Sequence, residues 1–243
     1  MSISLIFPLP ILSIYLYFVS TSHNNSNRPV ILALITLGTF KTMAYISQVM
    51  KNLIIHPEDT TTTFPSPIYA NLKNKTVVRG GVSKSELREL IEFHDRVLML
   101  GHGSPFGLLN TAQFPDAGSY IIDDSMVSPL KNKTNSLFIW CHADQFVQGH
   151  GLSGLNCGMF ISEVKEVNFY CFEDIELDMI NQSNERFALI ISIYLNEPID
   201  ILYLKLLYEY RYLARTNPLA RFNLDRIYLT YLGTNYNPIK VAI

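Results

Sequence analysis

The sequence predicts a three-layer α/β/α domain, from residue 52 to the C-terminus, in which a mostly parallel sheet is covered by helices on both faces. Short apolar runs such as 96–100 and 136–140 lack polar alternation, which is typical of strands buried on both faces. Segments with apolar residues at helical spacing separate these runs, and such alternation favours a parallel sheet with covering helices.

The elements follow in order along the chain. Strands are predicted at 53–56, 76–79, 96–100, 120–122 and 136–140. Ser83 and Glu86 have the spacing of a capping box, so a helix should begin there and bury Leu87, Leu90 and Ile91. A helical turn is expected near 128–130. From about residue 172 the chain should form a helical C-terminal extension, with helices at 174–195 and 199–214 punctuated by prolines.

Residues 1–51 form a different, apolar segment. Residues 3–19 are almost wholly apolar, at the lower length limit for a membrane span, but Pro8 and Pro10 interrupt them. Lys41 lies within the second apolar stretch, which weakens a two-span hairpin. Three interpretations of this segment remain open: a membrane anchor that contacts lipid through residues 3–50, helices packed on the domain, or a leader outside the functional fold.

Composition excludes several classes of function. A net charge of −2, with 16% charged residues and no basic run, argues against nucleic acid as a partner. Three cysteines in 243 residues do not resemble a disulfide framework and favour a reducing, cytoplasmic compartment, with membrane association through the N-terminal segment if it is an anchor. A single cysteine is therefore a candidate nucleophile.

His102 and Cys141 each follow a predicted buried strand. Ligands of open α/β sheets bind outside the carboxyl ends of strands, so both residues should lie where chemistry occurs. An imidazole can take the proton of a nearby thiol and so generate the nucleophilic thiolate. The backbone N–H of Gly103 could then stabilise the oxyanion of a tetrahedral intermediate.

These two blocks, an apolar strand ending in Gly101-His102-Gly103 and a second apolar strand ending in Cys141, resemble the caspase-like cysteine peptidases. This superfamily includes caspases, metacaspases, gingipains and legumains, of which the chain looks like a bacterial-type outlier. The resemblance covers roughly 52–171 and implies His102 as general base, Gly103 as oxyanion donor and Cys141 as nucleophile. The local motif Trp140-Cys141-His142-Ala143 departs from the caspase Gln-Ala-Cys signature.

Asp59 and Asp144 are candidate substrate-binding residues. The resemblance implies that residues after the first strand help to line the specificity pocket, where a carboxylate at Asp59 would favour Arg or Lys. The alternative is that Asp59 caps the following turn through hydrogen bonds to the backbone.

Competing roles exist for the other reactive side chains. His142 should point away from its neighbour Cys141, as adjacent side chains on extended backbone do, and is predicted to be structural. Cys157 and Cys171 are assigned to core packing. Glu163 and Glu166 should lie near the strand ends that carry the candidate pair but, at helical spacing, are assigned to a solvated face. Zinc binding by Cys141, His142, His150 and Cys157 matches no usual ligand spacing, so no metal or cofactor is expected. A serine hydrolase would need a G-x-S-x-G elbow, which the sequence lacks.

The sequence thus predicts a cysteine hydrolase, an endopeptidase acting on peptide or protein substrates. A caspase-like binding or scaffold module with little or no catalysis is the alternative, and a membrane-tethered sensor is a further one.

Overall fold

A computed structural model describes residues 50–57, 59–170, 172 and 174–236. The predicted segment 1–51 lies outside this range except for its last two residues. Among the described residues, none of the helices combines the length and the apolar character needed to cross a membrane.

The described chain alternates short strands with helices. The strands are β1 (Asn52–Ile55), β2 (Lys75–Val78), β3 (Arg96–Leu100), β4 (Gly103–Ser104), β5 (Gly107–Leu109), β6 (Tyr120–Ile122), β7 (Leu137–Ile139), β8 (Gly154–Cys157), β9 (Ile227–Tyr231) and β10 (Thr234–Tyr236). The helices are α1 (Ser66–Ala70), α2 (Lys84–Phe93), α3 (Val127–Leu130), α4 (Ala143–Gly149), α5 (Val164–Phe169), α6 (Leu177–Tyr194), α7 (Ile199–Ala214) and α8 (Pro218–Leu224).

Seven strands form the main sheet in the order β10-β9-β8-β7-β3-β1-β2. The pairs β2–β1, β1–β3, β3–β7 and β7–β8 are parallel, and β9 runs antiparallel to both β8 and β10. A second, antiparallel sheet of β4, β5 and β6 follows β3. The mostly parallel α/β sheet predicted from the apolar runs is therefore confirmed.

Each central strand sends alternate side chains into two separate cores, because successive side chains of a strand point to opposite faces. Leu98 and Leu137 join the core that packs against α1, α6, α7 and α8. Val97 and Phe138 join the core formed with α2, α3 and α4. Helices thus cover both faces of the sheet.

The capping box predicted for α2 is present. The Ser83 side chain accepts from the Glu86 backbone N–H, and the Ser83 N–H donates to Glu86 Oε2 at 2.7 Å. Leu87 and Ile91 are buried beneath this helix, and Leu90 is partly buried against the same core. The reciprocal bonds satisfy donors that a helix start otherwise leaves unpaired.

The part of the chain from about residue 172 was predicted to be a helical extension, but it also contains two strands. After α8 the chain returns to the main sheet, where β9 pairs with β8 along Gly154–Cys157. Strands β4, β5, β8, β9 and β10 and helices α1 and α4 are additional to those predicted. The C-terminal segment therefore completes the sheet and covers one of its faces.

Candidate active site

His102 and Cys141 follow neighbouring parallel strands. The register pairs Leu98 with Leu137 and Leu100 with Ile139, and His102 and Cys141 each lie two residues beyond the end of their strand. Both residues line one open cavity of about 410 Å³. Its remaining walls are Gly103, Leu109, His142, Met159, Lys165, Glu166, Phe169 and Tyr170.

The His102 ring is held by the loop that follows β1. Its Nε2 lies 2.6 Å from Thr61 Oγ1, and that hydroxyl lies 2.5 Å from Asp59 Oδ1. A carboxylate only accepts, so the hydroxyl donates to Asp59 and must accept from the imidazole. The Nε2 atom therefore carries a proton, and in the neutral ring the lone pair lies on Nδ1.

Asp59 itself caps this turn. Its Oδ1 accepts from the Thr61 backbone N–H at 2.7 Å as well as from the hydroxyl, and these bonds lower the pKa of the carboxyl group. The carboxylate also lies 4.0 Å from His102 Nε2. Asp59 thus makes the turn-capping contacts of the alternative interpretation and is not among the residues that line the cavity.

Gly103 fits where a larger residue would not. A Cβ built at this position would lie 2.0 Å from Trp140 Cδ1. The Leu109 N–H donates to His102 O at 2.9 Å. Antiparallel ladder bonds fall on alternate residues, so the Gly103 N–H points away from β5.

The Cys141 thiol is partly buried and has two acceptors. Its Sγ lies 3.6 Å from Phe160 O and 3.8 Å from Glu166 Oε1. Burial and the Glu166 carboxylate raise the pKa of the thiol to about 12, so the sulfur is protonated at neutral pH. In the described part of the chain no hydrogen bond joins Cys141 to His102.

Glu163 and Glu166 face the site, so their assignment to a solvated face is wrong. Glu163 Oε1 lies 3.6 Å from His102 Nε2. Glu166 Oε2 accepts from the Ser162 N–H at 2.7 Å and from the Glu163 N–H at 3.2 Å, which caps α5. Helical spacing predicted the helix correctly, but the loop from β8 turns its first carboxylates towards the two strand ends.

Buried amides hold that loop in place. The Asn223 side chain accepts from the Ile161 N–H at 2.8 Å and donates to Ile161 O at 2.9 Å. Asn184 Nδ2 donates to Ser162 O at 3.0 Å. Helices α6 and α8, which carry these amides, therefore fix the start of α5 against the strand ends.

His142 lines the same cavity as Cys141. Its φ of 65° lies in the left-handed region, so the backbone is not extended between the two residues. The expectation that the two side chains point to opposite faces fails for this reason. His142 Nδ1 lies 3.4 Å from Gln145 Nε2.

Asp144 lies in the first turn of α4 and is not among the residues that line the cavity. Burial raises the pKa of its carboxyl group. Its Oδ1 is buried and has no hydrogen-bond partner among the described side chains and backbone.

Of the other two cysteines, Cys157 lies among the described residues and Cys171 does not. Cys157 is fully buried in the core beneath α6 and α7, as predicted. Within the described ranges, no three His, Cys, Asp or Glu side chains are grouped to hold a metal ion.

Sequence reasoning missed Thr61 and Glu166. The threonine belongs to a polar run whose position beside His102 depends on the pairing of β1 with β3. The helical spacing of Glu163 and Glu166 favoured a solvated face, so the contact of Glu166 with the Cys141 sulfur was not predicted. Comparison with protein-family models, with curated proteins and with solved structures finds no match to this chain.

Proposed function

We propose that this chain is a caspase-like cysteine hydrolase that cleaves peptide bonds with Cys141 as nucleophile and His102 as general base. The observation that carries the proposal is the β3–β7 register, which brings a histidine and a cysteine to adjacent strand ends on one cavity. A substrate carbonyl in that cavity could meet both side chains and the Gly103 N–H.

The reaction begins with a proton transfer. His102 Nδ1 takes the thiol proton, and Cys141 Sγ attacks the carbonyl carbon to form a tetrahedral oxyanion. The Gly103 N–H donates to that oxyanion. When the C–N bond breaks, His102 gives its proton to the leaving amine, and an acyl group remains on Cys141.

Water completes the cycle. His102 Nδ1 removes a proton from a water molecule, whose oxygen attacks the thioester carbonyl. The C–S bond then breaks and the proton returns to the sulfur. Throughout, Thr61 holds the imidazole in the tautomer whose Nδ1 can accept a proton.

A non-catalytic binding module is the second candidate. The observation that favours it is the Cys141 thiol, which hydrogen-bonds with Phe160 and Glu166 and whose pKa is about 12. Such a thiol is a poor nucleophile unless the site rearranges.

A peptidyl acyloxymethyl ketone, which alkylates a thiolate aligned with a bound peptide, separates the two candidates. We expect Cys141 to carry the label in the native full chain, and His102→Ala to abolish the preference for this cysteine. His150→Ala is the matched control, because this histidine pairs with Asp124 outside the cavity, and it should label normally. Equal labelling of all three cysteines, or none, would reject the hydrolase.

A further inference from the structure

Among the residues that the structure describes, Glu166 has the carboxylate that contacts Cys141 directly. Its two oxygens are used differently: Oε2 accepts from the backbone at the start of α5, whereas Oε1 faces Sγ at 3.8 Å. Because Asn184 and Asn223 anchor the preceding loop, packing of the domain places this carboxylate beside Sγ.

We propose that Glu166 is a positioning residue that, together with the Phe160 carbonyl at 3.6 Å, holds the Cys141 thiol in a resting state as an acceptor for its hydrogen, and that a ligand in the cavity must displace the Glu166 contact before Cys141 can react. This inference rests on the proposed function for its biological meaning, but the contact itself can be tested without any substrate.

The chemistry favours a restraint on the thiol over activation by Glu166. A negative charge next to a sulfur disfavours the thiolate, because two like charges would then lie together in a partly buried place. A carboxylate is also a far weaker base than a thiolate, so taking the thiol proton is not a role that suits Glu166. His102, with its free Nδ1, is the better matched base.

Other charged or titratable groups surround the thiol. Those that face it or line the same cavity are Glu163, His102, His142, Cys157, Lys165 and Tyr170. Glu163 adds to the disfavouring of the thiolate but lies beside His102, so its effect should be the smaller one.

Helix α5, which carries Glu166, also contains residues that a ligand in the cavity would contact. Phe169 and Tyr170, at the end of α5, line the cavity together with Glu166. A peptide that occupies the cavity therefore touches the helix that carries the restraining carboxylate. Movement of α5 by about one hydrogen-bond length would separate Oε1 from Sγ.

The test measures the rate at which iodoacetamide alkylates Cys141 in the full chain between pH 6.5 and 10, followed by peptide mass spectrometry. Glu166→Gln keeps a residue suited to a capping box but removes the charge. We expect its rate profile to shift to lower pH, with about a tenfold faster rate for each unit by which the thiol pKa falls. Glu163→Gln should shift it less.

Glu86→Gln is the matched control, because Glu86 occupies the same capping position in α2, away from the cavity. Its profile should coincide with that of the unaltered chain. Glu166→Asp provides a second variant that keeps the charge and shortens the side chain, and an intermediate rate is expected. The buried Cys157 should stay unlabelled wherever the fold is intact.

An unchanged or slower rate at Cys141 in both Glu166 variants would overturn the proposal. A faster rate without any peptide cleavage would leave the restraint standing and count against the hydrolase instead. Failure of the inference and failure of the proposed function are therefore distinguishable.

Discussion

Thr61 links two chemically different side chains, because its hydroxyl donates to Asp59 and accepts from His102. A hydroxyl can do both at once, whereas a carboxylate in direct contact would only accept. The ring nitrogen that carries the proton is set by this link, and so is the nitrogen that is free to act as a base. Single polar residues in a loop thus determine the chemistry of a residue on the sheet.

Replacing Thr61 with Val should therefore lower peptide hydrolysis. The variant removes the nearest acceptor for Nε2–H and leaves only the more distant carboxylates of Glu163 and Asp59, so the tautomer with a free Nδ1 is less favoured. We expect kcat to fall roughly tenfold to a hundredfold, at the low end of what proton-transfer catalysis contributes, with little change in KM. Steady-state kinetics on a fluorogenic peptide amide measure both constants.

Thr61→Ser keeps the hydroxyl and should restore most of the activity. Thr60→Val serves as a neighbouring control, because Thr60 is exposed. Equal kcat values in Thr61→Val and Thr60→Val would show that the hydroxyl has no part in orienting His102.

Strands β3 and β7 are the elements that bring the site together. Their side chains enter both cores, and a candidate catalytic residue lies two positions beyond the end of each strand. Since the pairing is parallel, the two carboxyl ends lie at the same edge of the sheet. Any disturbance of the cores beneath them should affect the stability of the domain as well as the site.

Leu98→Ala and Phe138→Ala should each lower the free energy of unfolding by roughly 2–5 kcal/mol, through lost apolar transfer and the cavity left behind. Both side chains are fully buried, on opposite faces of the sheet. Urea denaturation followed by circular dichroism measures the change.

Leu204→Ala is the control on the outer face of α7, where the side chain is 46% exposed. It should change the free energy of unfolding by no more than about 0.5 kcal/mol. Unaltered stability in both core variants would contradict the packing described for the two strands.

Element boundaries show what local patterns can and cannot provide. Continuous apolar runs identified β1, β3 and β7, and the Ser83–Glu86 spacing identified the start of α2. Strand β8, Gly154-Leu155-Asn156-Cys157, was missed because a glycine and an asparagine interrupt its apolar pattern. Asn156 is buried in this strand because its Nδ2 donates to Thr230 Oγ1 at 2.8 Å in β9.

At the scale of the whole molecule, the arrangement depends on pairings between residues far apart in the chain. Cys157 pairs with Ile227 across β8 and β9. Likewise, Asn223 fixes Ile161 in the loop that leads to the candidate active site. Local propensity carries no information about such partners, so the sequence predicted the two strand-end residues but not the contacts that Glu163 and Glu166 make with them.

The orientation of His142 relative to its neighbour Cys141 also could not be predicted from the local pattern. Alternation of side chains predicted that it would avoid the face of Cys141, and this holds only on extended backbone. The left-handed φ at His142 turns the chain into α4 and brings this residue to the cavity. A single backbone dihedral thus overrides the pattern at the point where the strand ends.

The central claim, that Cys141 and His102 together hydrolyse peptides, is tested most directly by measuring peptide hydrolysis. The proteins to compare are the intact chain, Cys141→Ala, His102→Ala and the double variant. The substrates are a mixed set of short peptide amides with basic, acidic or apolar residues before the cleaved bond. If the two residues act as one unit, the double variant should be no less active than Cys141→Ala, because the second removal has little left to destroy. His102→Ala should keep a residual activity that rises with pH, as its thiol ionises. Cleavage that persists in Cys141→Ala, or no cleavage by either the intact chain or Glu166→Gln, would contradict the account.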